Sequence, residues 1–141
     1  MIENKTTYKL GKEINIWKDG VAQTLTFIVT EDCNLRCSYC YITHKSSNKK
    51  MSFDVAKKFI DYVLSEEMIR PKGVILDFIG GEPLLEIKLI DQICDYFKLK
   101  TYILNDEWYW DYRINITTNG INYASKEVQN FIKKNQGKLE I

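Results

Sequence analysis

Three short runs along the chain carry apolar residues with a polar residue on every second or third position, and three longer runs repeat apolar residues at helical spacing. Leu25-Thr26-Phe27-Ile28-Val29-Thr30 is β-branched and aromatic, which predicts a strand. Val74-Ile75-Leu76-Asp77-Phe78-Ile79 predicts a second strand and Arg113-Ile114-Asn115-Ile116-Thr117-Thr118 a third. Between the first two, Val55, Ala56, Phe59, Ile60, Val63 and Leu64 form one apolar face, which predicts a helix over 53–68. Ser52 is placed to cap it, Asp54 suits its positive end, and Pro71 and Gly73 close the region. A second helix is expected over about 86–104, with Leu89, Ile90, Ile93, Cys94 and Phe97 inward. A third is expected over about 126–134, capped by Ser125 and followed by Gly137. Leu139-Glu140-Ile141 reads as the opening of a fourth strand. Ahead of all this, Asp19-Gly20 marks a turn, so residues 14–18 and the chain after 20 are expected to form an edge hairpin. There are no internal repeats and no linker; the division is an N-terminal extension over 1–23 and a core over 24–141.

The order β-α-β-α-β-α-β implies an α/β fold with a parallel sheet and helices packed outside it. Active sites of such folds lie at the C-terminal ends of the strands. Three unusual motifs fall there: a cysteine-rich loop after the first strand, Gly80-Gly81-Glu82-Pro83 after the second, and Thr118-Asn119-Gly120 after the third. Strand parity adds a second face. Thr26 and Thr30, Asp77, and Asn115 and Thr117 stand opposite the apolar residues of their strands. Such a face either lines a chamber or is satisfied by hydrogen bonds between neighbouring strands.

Composition narrows the function classes. The chain has 141 residues, 45% of them hydrophobic and 28% charged, which suits a folded domain and excludes a disordered one. Twenty Lys and Arg against nineteen Asp and Glu leave a net charge of +1, too little for binding nucleic acid chiefly through phosphates. No apolar run reaches the roughly 20 residues of a membrane span, and Met1-Ile2-Glu3-Asn4-Lys5 shows no signal core. A cytoplasmic protein is expected, with neither nucleic acid nor membrane as partner.

Three of the four cysteines, Cys33, Cys37 and Cys40, fall within eight residues at C-x3-C-x2-C spacing. Without a secretory signal, clustered thiols point to metal binding or redox chemistry rather than disulfides. Thiolates suit iron–sulfur clusters or zinc. Three ligands would leave one iron of a 4Fe–4S cluster open, which leans towards catalysis. His44 offers an alternative as the fourth ligand of a Cys3His zinc module. Cys94 sits on the apolar stripe of the second helix and reads as core.

With these residues in place, the chain resembles the radical S-adenosylmethionine enzymes. Cys33-x3-Cys37-x2-Cys40, with Tyr39 before the last cysteine, matches that family's signature. Gly80-Gly81-Glu82-Pro83 looks like its motif after strand two, and Asn115-Ile116-Thr117-Thr118-Asn119-Gly120 like the strand-three segment of its peptide-modifying branch. Cys40-Tyr41 and Met51-Ser52 also fit that branch, whose members often carry a further domain for auxiliary clusters. The resemblance covers about residues 24–141. It implies the N-terminal half of a partial (β/α)6 TIM-like barrel. Cys33, Cys37 and Cys40 would bind three irons of a 4Fe–4S cluster, and the open iron would take the amino and carboxylate groups of S-adenosylmethionine. Reductive cleavage would give a 5′-deoxyadenosyl radical that abstracts a substrate hydrogen. Gly80 and Gly81 would let the backbone approach the cofactor, with Glu82 helping to hold the methionyl ammonium. Tyr39 would sit near the adenine, and Thr118 and Asn119 would line the cofactor or substrate side. No side chain is assigned acid–base catalysis. The implied partners are a ribosomally made peptide substrate, an electron donor such as flavodoxin or ferredoxin, and the C-terminal half of the barrel.

Each motif also has a plainer reading. Gly-Gly-Glu-Pro and Thr-Asn-Gly are also turn sequences, and the aromatic run Trp108-Tyr109-Trp110-Asp111-Tyr112 either docks a peptide or packs beneath the helices. Length sets the last expectation. A full (β/α)8 barrel takes about 250 residues, and this chain supplies three βα units and the start of a fourth strand. It therefore reads as a fragment, a truncated product or half of a split protein, weakly active or inactive alone. A non-catalytic remnant serving as an interaction module is the remaining alternative.

Overall fold

The computed structural model describes residues 22–45, 48–65 and 70–141. The expected hairpin over 14–18 lies outside them. Four strands form one parallel sheet: β1 (Ala22–Thr30), β2 (Gly73–Gly80), β3 (Tyr112–Ile116) and β4 (Leu139–Glu140), in that spatial order. Three helices connect them: α1 (Phe53–Ser65), α2 (Ile87–Ile103) and α3 (Lys126–Lys134). Short 3-10 turns at Pro83–Glu86 and Glu107–Tyr109 precede α2 and β3.

The sequential strand order follows from the handedness of βαβ units. Each right-handed crossover that adds its strand to the same edge leaves its helix on the same face. That face is the core. Leu25, Phe27 and Val29 of β1, Val74, Leu76 and Phe78 of β2, and Tyr112, Ile114 and Ile116 of β3 are buried there. They pack with Ala56 and Ile60 of α1, Ile90, Ile93, Cys94 and Phe97 of α2, and Val128 and Phe131 of α3. Phe27 stacks on Phe78 with ring centroids 5.2 Å apart, joining the first two strands.

The helix boundaries follow their caps. Ser52 Oγ accepts from Val55 N at 3.3 Å, and Ser125 Oγ from Val128 N at 3.4 Å. Asn135 caps the end of α3, its side-chain amide donating to Phe131 O at 3.0 Å. Gly137, at φ +85°, therefore serves the turn into β4 rather than the helix end itself. Strand β3 stops at Ile116, two residues short of the expected end, and Thr117 and Thr118 enter the site loop instead.

The second sheet face carries the polar row that parity indicates. Thr26 pairs in register with Asp77, and Asp77 with Asn115. Asp77 Oδ2 accepts from the Thr26 hydroxyl at 3.2 Å, and Oδ1 from Asn115 Nδ2 at 2.6 Å. The row is thus satisfied across the strands and still borders the face that the helices leave uncovered. Thr30 departs from this parity. The β1–β2 register shifts between Ile28 and Thr30, and Thr30 is buried.

Candidate functional site

The cysteine loop leaves β1 at Thr30 and returns beside it. Lys50 bridges antiparallel to Thr30, Glu31 N donates to Lys49 O at 2.9 Å, and Met51 N to Val29 O at 3.0 Å. The loop is therefore closed at its base before any ligand is considered. Ion pairs hold the same base: Lys49 with Glu31 at 3.1 Å and Lys50 with Glu86 at 2.5 Å. The neighbouring Glu86 carboxylate, through its hydrogen bond, holds the Lys50 ammonium above its ordinary pKa.

The two glycines after β2 explain how the second loop meets the first. Gly81 N donates to Thr30 O at 2.8 Å, and Glu82 N to Asp32 O at 2.7 Å. A Cβ on Gly80 would stand 2.3 Å from Thr30 O, and one on Gly81 would stand 2.0 Å from Asp32 O. Gly80 also holds φ at +150°, at the edge of the range where a side chain is strained. The Cβ-free approach is thus made to the base of the cysteine loop.

Glu82 is likewise turned inward. It is fully buried, and both oxygens are engaged by the chain. Oε1 accepts from Leu84 N at 2.9 Å and the Thr118 hydroxyl at 2.6 Å, and Oε2 from Asn119 N at 2.8 Å. A buried carboxylate needs such donors to offset its desolvation. Glu82 ties the β2 loop to the β3 loop.

The β3 loop in turn reaches the cysteines. Asn119 Nδ2 lies 2.8 Å from Asn34 Oδ1 and 3.8 Å from Cys33 Sγ. Leu35 N also donates to Cys33 Sγ, at 3.4 Å, and Asp32 Oδ1 accepts from Cys33 N at 2.9 Å. The Arg36 guanidinium donates to Cys33 O and Leu35 O. The three strand-end motifs, far apart in sequence, therefore form one connected cluster. Asn34, Arg36 and Tyr41, whose hydroxyl donates to Gly80 O at 3.4 Å, belong to it as well. Sequence reasoning gave Asn34 and Arg36 no role because each is an ordinary polar residue inside a loop; Tyr41 entered it only as part of the Cys40-Tyr41 pair.

The three cysteines of the loop differ in burial. Cys33 is buried against Asn119. Cys37 and Cys40 line an open concavity of about 540 Å³ with Arg36, Ser38, Ile42, Thr43, His44 and Lys45. Tyr39 is 89% exposed and leans on Cys37, and that hydrogen bond and the neighbouring thiolate charge raise its phenol above its ordinary pKa. All four cysteines are free thiols. Cys94 is a core residue, and burial pushes its thiol up. Among the described residues, no three His, Cys, Asp or Glu side chains converge on a single ion. A cubane cluster does not require that convergence, because each thiolate takes a different iron. Three unpaired thiols on one loop, one of them already accepting two N–H groups, are a donor set that fits such a cluster.

The aromatic run lies away from these loops, ahead of β3. It splits: Trp108 is buried, donates to Pro71 O at 2.9 Å and carries Arg70 over its ring, whereas Trp110 is exposed.

A family model described as a 4Fe-4S single cluster domain matches residues 19–133. The chain belongs to that family. The relatives of this single-cluster domain include an uncharacterized protein of Methanocaldococcus jannaschii, 47% identical over 78 residues, which are 55% of this chain and 25% of that protein. The S-adenosylmethionine-dependent nucleotide dehydratase of Pseudoalteromonas ulvae is 32% identical over 82 residues, 49% of this chain and 27% of the relative. The radical SAM cyclopropyl synthase TigE of Paramaledivibacter caminithermalis is 27% identical over 126 residues, 79% of this chain and 25% of the relative. Among solved structures, native anSMEcpe with bound AdoMet superposes with a TM-score of 0.64 at 22% identity, over 84% of this chain and 30% of that one. The same protein with AdoMet and the Cp18Cys peptide gives 0.60 at 21% identity, over 81% and 28%. The fold is shared, and the single-cluster domain sits within the radical SAM superfamily. The chain spans about a quarter of the length of these curated relatives.

Proposed function

We propose that this single-cluster domain holds a 4Fe–4S cluster on Cys33, Cys37 and Cys40 and binds S-adenosylmethionine beside it, as part of a radical SAM enzyme that modifies a ribosomally made peptide. The observation that carries the reading is the joining of three strand-end loops beside Cys33, through Glu82 and Asn119. When bound, the cluster supplies the single electron that cleaves S-adenosylmethionine and yields the 5′-deoxyadenosyl radical. The chain's own residues bind and orient. An ammonium can only donate hydrogen bonds, and the amides of Gly81 and Glu82 are already given to Thr30 O and Asp32 O. Carbonyl oxygens of the Gly80-Gly81 segment are therefore the groups we assign to the methionyl ammonium. Exposed Tyr39, held beside Cys37, offers its ring to the adenine. The sheet face bearing Thr26, Asp77 and Asn115 becomes one wall of the substrate chamber in a (β/α)6 barrel. The peptide substrate is supported by the neighbour whose structure holds one.

The test is iron and sulfide content after anaerobic reconstitution. Single Cys→Ala changes at positions 33, 37 and 40 are expected to reduce cluster retention to near zero. Cys94→Ala and His44→Ala are expected to retain it. Loss in His44→Ala with zinc bound in the wild type would instead favour the Cys3His module. The 141 residues tested alone are expected to give little or no substrate turnover, and robust peptide modification by them would contradict that.

A further inference from the structure

We infer that the side-chain amide of Asn119 tunes the reduction potential of the cluster through the sulfur of Cys33. This rests on the reading that Cys33 is a cluster ligand. The amide orientation is fixed by its neighbours. Ile121 N donates to Asn119 Oδ1 at 3.0 Å, and a backbone N–H can face only an acceptor. Nδ2 must then be the atom turned towards the cysteine loop. Its two hydrogens have two takers: Asn34 Oδ1 at 2.8 Å and Cys33 Sγ at 3.8 Å. The residue itself is held from behind. Asn119 N donates to Glu82 Oε2 at 2.8 Å, and Glu82 is fully buried and locked by Leu84 N and the Thr118 hydroxyl. One donor, Ile121 N, one acceptor, Asn34 Oδ1, and a buried carboxylate behind the backbone therefore hold this amide against one sulfur.

The consequence is electrostatic. Reduction adds negative charge to the cluster and its thiolates, and an N–H dipole aimed at a ligating sulfur stabilises that charge. Such a donor makes the cluster easier to reduce. Asn119 therefore acts as a positioning residue: it touches the ligand and leaves the ligand set unchanged. The device lies on the β3 loop, so the redox behaviour of the first loop depends on a residue 86 positions away.

The experiment uses the full chain, reconstituted anaerobically, in wild-type form and as Asn119→Ala and Asn119→Asp. Asn119→Asp keeps the oxygen that Ile121 N needs, removes the donor and adds a negative charge, whereas Asn119→Ala removes the donor without adding one. Spectroelectrochemical titration reads the potential, and electron paramagnetic resonance of the reduced state reads the cluster's electronic environment. We expect all three proteins to load equal iron, with both variants shifted to a more negative potential. At one fixed applied potential the reduced fraction should fall several-fold, more in Asn119→Asp, which adds a charge. Unchanged potentials in both loaded variants would overturn the inference. So would variants with native circular dichroism that fail to load, because the amide would then be building the loop rather than tuning the sulfur. If Asn119→Ala does not fold, Asn119→Asp decides. A wild-type chain that takes up no cluster would overturn the site reading itself, a separate and recognisable failure.

Discussion

Gly81 shows how a single hydrogen atom in place of a methyl group sets the site. A Cβ there would fall 2.0 Å from Asp32 O and 2.8 Å from Glu31 O, both backbone atoms that cannot swing aside. Gly81→Ala is therefore expected to cost about 1–3 kcal/mol, the range for forced overpacking, and to displace the base of the cysteine loop. A thermal melt of the apo chain would show the lowered midpoint, and an unchanged midpoint would contradict the close approach. Glu82 makes a complementary case. Glu82→Gln keeps the shape but sets an NH2 group against a donor, either Asn119 N or Leu84 N. Leaving one buried donor unsatisfied costs about 1–3 kcal/mol, so denaturant unfolding should show a loss of that size. The 4Fe–4S character of the chain was legible from the cysteine spacing alone. What each residue touches was not. Gly80 and Gly81 meet the backbone of the cysteine loop, and Glu82 meets Thr118 and Asn119. Their contacts with the cysteine loop and the β3 loop are between segments distant in sequence, which no local pattern encodes.

At the scale of elements, periodicity carried most of the architecture. The helix faces led by Ile60 and Ile93, and the strands around Phe27, Leu76 and Ile114, lie where alternation and 3.6-residue spacing put them. The exceptions have local causes. Thr30 is buried because the register shifts after Ile28, and such a shift leaves no compositional trace. Strand β3 ends early because Thr118 and Asn119 find Glu82 rather than a ladder partner. The packing of α1 on α2 adds a polar bond that hydrophobic spacing does not show. Asp61 accepts from the Tyr96 hydroxyl at 2.8 Å and pairs with Lys100 at 2.9 Å. Desolvation alone would push its carboxyl up, but hydrogen bonds from Lys100 and Tyr96 together outweigh it and hold the pKa below the usual carboxylate value. A carboxylate depressed in the folded state stabilises above its unfolded pKa, near 3.9, and that stability is lost as pH falls below it. Because the pair is solvent-exposed, Asp61→Asn should cost only about 0.5–1 kcal/mol at neutral pH. The difference from wild type should shrink as pH drops through roughly 4 to 3. A pH-independent difference would point to packing instead.

For the whole molecule, a parallel sheet in the order β1-β2-β3-β4, with all helices on one face, turns every strand-end loop towards the same end. That common end explains why three motifs separated by dozens of residues form one cluster of contacts. The opposite arrangement, with strand order reversing midway, would have split them between two faces. The aromatic run illustrates the same logic in reverse. It precedes β3, so Trp108 joins the base of the core and plays no part in the loop cluster. Family membership accounts for the cluster, and the chain's span of about a quarter of its curated relatives leaves substrate and turnover as proposals. The central claim is that one iron beside Cys33, Cys37 and Cys40 stays open for S-adenosylmethionine. Electron paramagnetic resonance of the anaerobically reconstituted, reduced chain, recorded with and without S-adenosylmethionine, tests it most directly. The account predicts a 4Fe–4S signal whose g-values change when S-adenosylmethionine is added. No cluster signal, or one indifferent to S-adenosylmethionine, would contradict it.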